Sequence, residues 1–176
     1  MIFRQTGLDG LMLIEVEPIE DERGAFARTF DADEWEKHGL AADVVQCNLS
    51  RNRAQWTLRG MHYQEPPHAE AKLVRCSRGA IYDVAVDLRS ESATFRRWFG
   101  VELSDENGLM LHIGEGFAHG FLTLTDVSEV AYQMSARYDP AAARGVRWND
   151  PAIAVAWPGE PVVISDRDRG FPDLEW

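Results

Sequence analysis

Short alternating stretches, interrupted every few residues by turn formers, run through most of this 176-residue chain. The clearest lies at 80–88. Ala80, Tyr82, Val84, Val86 and Leu88 share one face, and Ile81, Asp83, Ala85 and Asp87 share the other. A side-chain period of two marks a strand. Similar stretches at 44–49, 72–77, 98–103, 109–113, 117–124, 129–135 and 153–157 predict further strands. Ser77-Arg-Gly79, Asp105-Glu-Asn-Gly108 and Gly114-Glu-Gly116 supply turns between them. One helix is predicted at 31–38: Asp31 caps it, Glu34 follows three residues later as in a capping box, and Gly39 stops it. The remaining connections are too short for crossover helices, which argues against a doubly wound parallel sheet. The pattern predicts an all-β sandwich or barrel. The tail after Trp157, rich in Pro, Gly, Asp and Arg, reads as surface coil.

The length suits a single domain spanning 1–176, with no linker, internal repeat or low-complexity tract. A chain that is 45% hydrophobic and carries six tryptophans can build a core, which excludes intrinsic disorder. The net charge of −11 argues against nucleic acid and against an anionic membrane surface. A local arginine cluster still suits a small anionic ligand, because short-range charge overrides the global balance. No apolar run approaches the ~18 residues of a membrane span. The first ten residues carry Arg4 and Asp9 and lack a hydrophobic signal core, so the expected compartment is the cytoplasm. Cys47 and Cys76 make no disulfide framework and read as small buried thiols. Lys37 and Lys72 are the only lysines, against sixteen arginines, which draws attention to Lys72.

Several polar residues fall on strand faces that are otherwise apolar. Gln46 alternates with Asn48, Lys72 with Val74, His119 with Phe117 and Phe121, and Tyr132 with Val130 and Met134. Arg59 and His62 lie in a short polar cluster nearby in sequence. This is how the lining of a pocket inside a barrel reads. A satisfied core histidine, a core tyrosine and a solvated lysine are the bland alternatives. A metal set of His62, His119 and a distant acid also stays open, although His62 is followed at the second position by Gln64 rather than histidine. No Gly-x-Ser-x-Gly elbow and no phosphate-binding glycine loop occurs.

Arg59-Gly-Met-His-Tyr-Gln-Glu-Pro-Pro67 resembles an RGLHYQ-x-PP signature. Lys72-Leu-Val, Asp83-Val-Ala-Val-Asp-Leu-Arg89, Gly116-Phe-Ala-His-Gly-Phe121 and Trp148-Asn-Asp-Pro151 follow in the same order as in that family. The chain is thereby similar to the dTDP-4-dehydrorhamnose 3,5-epimerases over about residues 10–160, most strongly over 44–151. The resemblance implies a cupin-like jelly roll with one or two short helices. It also implies inversion of C3, C5 or both in a nucleotide-linked 4-keto-6-deoxyhexose, with no metal and no redox cofactor. It casts His62 as the base, Tyr132 as the proton donor and Lys72 as the cation near O4. Asp168, in Ser165-Asp-Arg-Asp168, becomes the partner of His62, with Asp166 as the competing choice. That role implies a tail folded back over the site. Arg23, Phe26, Gln46, Asn48, Arg59, His119 and Tyr138 match substrate contacts. Arg23 and Phe26 sit in an N-terminal segment that crosses to a partner subunit in the family, which implies a homodimer.

Two positions depart from the pattern. Arg28 stands where the rhamnose-pathway enzymes carry a glutamate, and Ala143 where they carry another acid. Both changes move local charge toward positive. The alternative readings are a single-centre epimerase acting on a CDP-linked or other nucleotide sugar, a non-catalytic sugar-nucleotide-binding cupin, and a metal-dependent cupin.

Overall fold

The computed structural model describes residues 1–174. The chain opens with a hairpin of β1 (Ile2–Gln5) and β2 (Leu11–Glu15). A small arm of β3 (Ile19–Asp21) and β4 (Gly24–Phe26) follows, then α1 (Ala32–Lys37). Eight strands form the body: β5 (Gln46–Asn52), β6 (Thr57–Gln64), β7 (Lys72–Arg78), β8 (Ala80–Asp87), β9 (Trp98–Ser104), β10 (Leu109–Ile113), β11 (Phe117–Thr123) and β12 (Ser128–Met134). The C-terminal region adds β13 (Ala143–Gly145), β14 (Val163–Ile164) and α2 (Asp166–Arg169).

The strands assemble into two main sheets. One has the antiparallel order β1-β2-β10-β7-β12-β5. The other has the order β13-β6-β11-β8-β9, with β14 lying parallel to β6. Their facing sides bury Leu11, Val74, Ile81, Leu111, Phe117 and Phe121 in a common core. Both faces of β8 are covered, so its alternation separates two apolar clusters rather than core from water. Ile81 and Ala85 join the inter-sheet core, whereas Val84 and Val86 pack under Val146 and Ile153 of the C-terminal segment. On the outside of the first sheet, α1 lays Trp35, 1% exposed, over Ile14, Leu73 and Met110. Asp31 caps this helix by accepting from the amides of Asp33 and Glu34. The Glu34 side chain turns to Lys37 instead of closing the capping box. Among the described residues no helix is long and apolar enough to cross a membrane.

The predicted strands from 44 to 135 appear with ends shifted by at most a few residues. The strand expected at 153–157 does not form. Asp150 caps a turn there, accepting from the amides of Ala152 and Ile153. Trp157 then donates its indole N–H to the Trp148 carbonyl, so the segment lies as a packed strap rather than a ladder. The tail is not surface coil either: β14 pairs with β6, and Ser165 caps the one-turn helix α2. Strands β1 to β4, β6, β13 and β14 carry no clean alternation and escaped the sequence reading.

One close approach positions the site. Gly60 on β6 faces Gly120 on β11, where the register shifts between His119 and Phe121. A Cβ built on Gly60 would lie 2.5 Å from the Gly120 Cα and 3.2 Å from the His119 carbonyl oxygen. Its φ of 142° lies where L side chains rarely go. The two glycines let β6 and β11 meet closely beside His62 and His119, which are register partners.

Candidate active site

A cavity of about 290 Å³ opens between the two sheets. Strand β6 contributes Arg59 and His62, and β11 contributes His119. The opposite sheet supplies Asn48 from β5, Lys72 from β7 and Tyr132 from β12. The imidazole of His62 and the phenol of Tyr132 thus approach the same space from opposite layers.

His62 is held from behind. Its Nε2 lies 2.8 Å from Asp168 Oδ1. The second carboxylate oxygen of Asp168 accepts from the Gly60 amide at 3.1 Å, and Ser165 Oγ accepts from the Asp168 amide. Burial pushes the Asp168 carboxyl upward, but the bonds from His62, Gly60 and Ser165 outweigh it and hold the pKa below the ordinary carboxylate value. The ionised Asp168 accepts a hydrogen bond from Nε2–H, which leaves the lone pair of the neutral imidazole on Nδ1. Asp166 lies exposed on the outer side of α2. Phe171 packs edge-on against the His62 ring, with centroids 5.7 Å apart.

Tyr132 is half-buried, and its ring meets His119 edge-on at 6.0 Å. Burial, reinforced by the charge of Asp83, pushes its pKa far above the ordinary phenol value, with Arg59 acting in the opposite sense. The phenol therefore stays protonated across the neutral range. His119 Nε2 lies 2.8 Å from Asp83 Oδ1, with both side chains buried. Lys72 Nζ lies 2.6 Å from Glu70 Oε1. Arg59 donates from Nε to Asn52 Oδ1 at 2.7 Å, which fixes the guanidinium by one edge. At the mouth, Gln46 Oε1 accepts from the Tyr138 amide while its Nε2 donates to Asn48. Gln46 is therefore beside the cavity rather than in its lining, whereas Asn48 and Tyr138 line it.

Arg23 and Phe26 are not brought to this cavity by their own chain. Both sit on the β3–β4 arm; the Arg23 side chain is 85% exposed and Phe26 is 73% exposed. Arg28 pairs with Asp31 at the start of α1, away from the cavity, whereas Ala143 lies in the cavity wall. Of the two departures, only Ala143 lies at this cavity. The sequence reading missed Glu70, Asp83 and Phe171. Glu70 stands two residues before Lys72, and Asp83 is the one acid between Ile81 and Ala85 on a core-facing side. Such a charge among apolar neighbours is a signal that can be read. Phe171 carries no comparable mark. Arg144 and Arg167 also line the wall, so a protein of net charge −11 presents a locally cationic pocket. Among the described residues no group of three His, Cys, Asp or Glu side chains is placed to hold a metal ion.

A model of the dTDP-4-dehydrorhamnose 3,5-epimerase family matches residues 5–175. The chain belongs to this family. It is 46% identical to the dTDP-4-dehydrorhamnose 3,5-epimerase of Methanothermobacter thermautotrophicus, over 98% of this chain and 94% of that one. A dTDP-4-dehydrorhamnose 3-epimerase of Streptomyces niveus is 36% identical, over 96% of this chain and 82% of the relative. Among solved structures, a dTDP-6-deoxy-D-glucose-3,5-epimerase from Legionella pneumophila in complex with dTDP-4-keto-L-rhamnose superposes with a TM-score of 0.92. It is 38% identical and covers 98% of this chain and 92% of that one. The two-sheet body is accordingly the cupin-like β fold of the dTDP-4-dehydrorhamnose 3,5-epimerases.

Proposed function

We propose that this protein inverts C3 and C5 of dTDP-4-dehydro-6-deoxy-D-glucose by acid–base catalysis beside the C4 ketone. The observation that carries the proposal is the placement of His62 and Tyr132 on opposite sheets across one cavity. Inversion through an enolate needs a base on one face and an acid on the other.

The C3 and C5 protons are acidified by the adjacent carbonyl. Nδ1 of His62 takes such a proton, and the C–H electron pair becomes the C=C bond of the enolate. Asp168 stabilises the resulting imidazolium at Nε2. Charge develops on O4, where the Lys72 ammonium stabilises it. Tyr132 then delivers its proton to the carbon from the other side. Water returns a proton to the phenolate and takes one from His62. His119, held by Asp83, and Arg59 bind the sugar and diphosphate; Arg59 suits the diphosphate as a planar fork of donors. Asn48, Gln46 and Tyr138 flank the entrance.

The active unit in this reading is a homodimer in the cytoplasm. Ile19 and Phe26 are 71% and 73% exposed on the β3–β4 arm, which pairs with no further strand among the described residues. An apolar arm of this kind favours a second copy, where Arg23 and Phe26 would reach the partner's nucleotide. Cys76 is buried as expected and Cys47 is exposed instead; both are free, which agrees with a reducing compartment.

Proton NMR of the product tests the reaction: inversion at both centres supports the proposal, and unchanged substrate contradicts it. Inversion at one centre supports the second reading, a single-centre epimerase, which Ala143 in the wall and the Streptomyces niveus 3-epimerase favour. Tyr132→Phe separates the two proton transfers. Net inversion is expected to fall by about a hundredfold or more, while solvent deuterium still enters with retained configuration through His62. Undiminished inversion would remove Tyr132 from the donor role.

A further inference from the structure

We infer that Glu70 is the positioning residue that keeps the Lys72 ammonium charged and aimed into the cavity. The inference deepens the epimerase reading and rests on it. Lys72 and Glu70 side chains are 7% and 6% exposed, and their contact is 2.6 Å. Among the described residues Glu70 is the only ion-pair partner of Lys72. The other carboxylate oxygen of Glu70 is enclosed and makes no hydrogen bond, so Lys72 is the group that holds this carboxylate in place. The backbone between the two is pinned as well. The Ala71 amide donates to Ser135 Oγ at 2.7 Å, and the Ser135 amide donates to the Ala71 carbonyl at 3.0 Å.

No other carboxylate forms an ion pair with Lys72 among the described residues. From the facing sheet, Arg59, His62 and His119 meet the cavity, with Asp83 committed to His119 and Asp168 to His62. Tyr132 and Tyr138 approach from β12 and the segment after it, and Tyr63 and Arg144 from β6 and β13. Arg167 reaches in from α2. Behind β7, His112 and Asp43 border a small separate cavity that Lys72 also touches. The cavity wall is thus rich in cations. A buried ammonium without its anion sheds its proton, and a neutral amine cannot stabilise charge developing on the substrate oxygen.

Glu70→Gln keeps the shape and one acceptor oxygen, removes the charge and turns the other oxygen into a donor NH2. Turnover near pH 8 is expected to fall about tenfold or more, with KM changed by less than about threefold. The loss is expected to shrink as pH is lowered, so that the alkaline limb of the kcat profile moves to lower pH. Glu70→Asp, which retains the charge, is expected to restore that limb to the wild-type position. Equal loss at every pH, as from a purely structural defect, would overturn the inference, and so would an unchanged rate. If Glu70→Gln fails to fold, Glu70→Asp decides alone: a displaced alkaline limb in that variant contradicts the role. Wild-type protein run alongside separates the two claims, because an inactive wild type removes the epimerase reading before Glu70 is considered.

Discussion

His62→Ala is expected to lower kcat by about a thousandfold while leaving affinity for dTDP within about threefold. The His62 imidazole, like that of His119, has its Nε2 fixed at 2.8 Å by a buried carboxylate, but of the two it is the open one, its side chain 40% exposed against 5%. Removing it deletes the group that takes the proton but touches none of the contacts assigned to the nucleotide. The fold should tolerate the change, because the His62 side chain is 40% exposed to the cavity. Isothermal titration with dTDP and steady-state kinetics on the 4-keto sugar read the two quantities separately. Parallel loss of both would point to a collapsed pocket. Retained turnover would show that His62 is not the base, whereas a wild type without turnover, with only dTDP affinity altered in His62→Ala, would favour a binder over an enzyme.

A second large effect is expected on stability. Gly60→Ala should cost about 4 kcal/mol, the sum of overpacking against the Gly120 backbone and a left-handed backbone angle forced on an L residue. For a chain of this size that lowers Tm by roughly 10 °C. The neighbour at 2.5 Å is the Gly120 Cα, so no flexible side chain can swing aside. Gly39→Ala is the internal control: its φ is 70°, but nothing lies within 4 Å of the added carbon. That variant should lose only about 1 kcal/mol from the backbone term. Equal Tm values for the two variants would mean that β6 and β11 can separate without penalty, contrary to the close approach that seats His62 and His119.

The sequence disclosed the centre of this molecule better than its margins. Strands from β7 to β12 alternate because each buries at least one face, and their ends were readable to within a few residues. β6 was not, because it carries Gly60, Arg59 and His62 where a strand pattern wants alternating apolar residues. Arg59 and His62 face the cavity and Gly60 makes the close approach to Gly120, so the demands of the site erased the periodicity. The 153–157 stretch misled in the opposite direction: its alternating residues are buried, but by the outer face of β8 and not by strand pairing. Of the site, Lys72, His119 and Tyr132 were readable as polar groups on apolar faces. Asp168 was reached only through the family resemblance, since it is brought to His62 across 106 residues of chain by β14 and α2. Arg23 and Phe26 were singled out only through the family resemblance, and their own chain leaves them exposed on the β3–β4 arm, away from the cavity.

Solvent deuterium exchange tests the central claim most directly. The protein is incubated with dTDP-4-dehydro-6-deoxy-D-glucose in deuterated water, and the C3 and C5 proton signals are followed by NMR. Loss of both signals in the wild type, abolished in His62→Ala, is the expected result. Retention of both signals with folded wild-type protein would contradict proton abstraction beside the ketone, and with it the role given to every residue of the cavity.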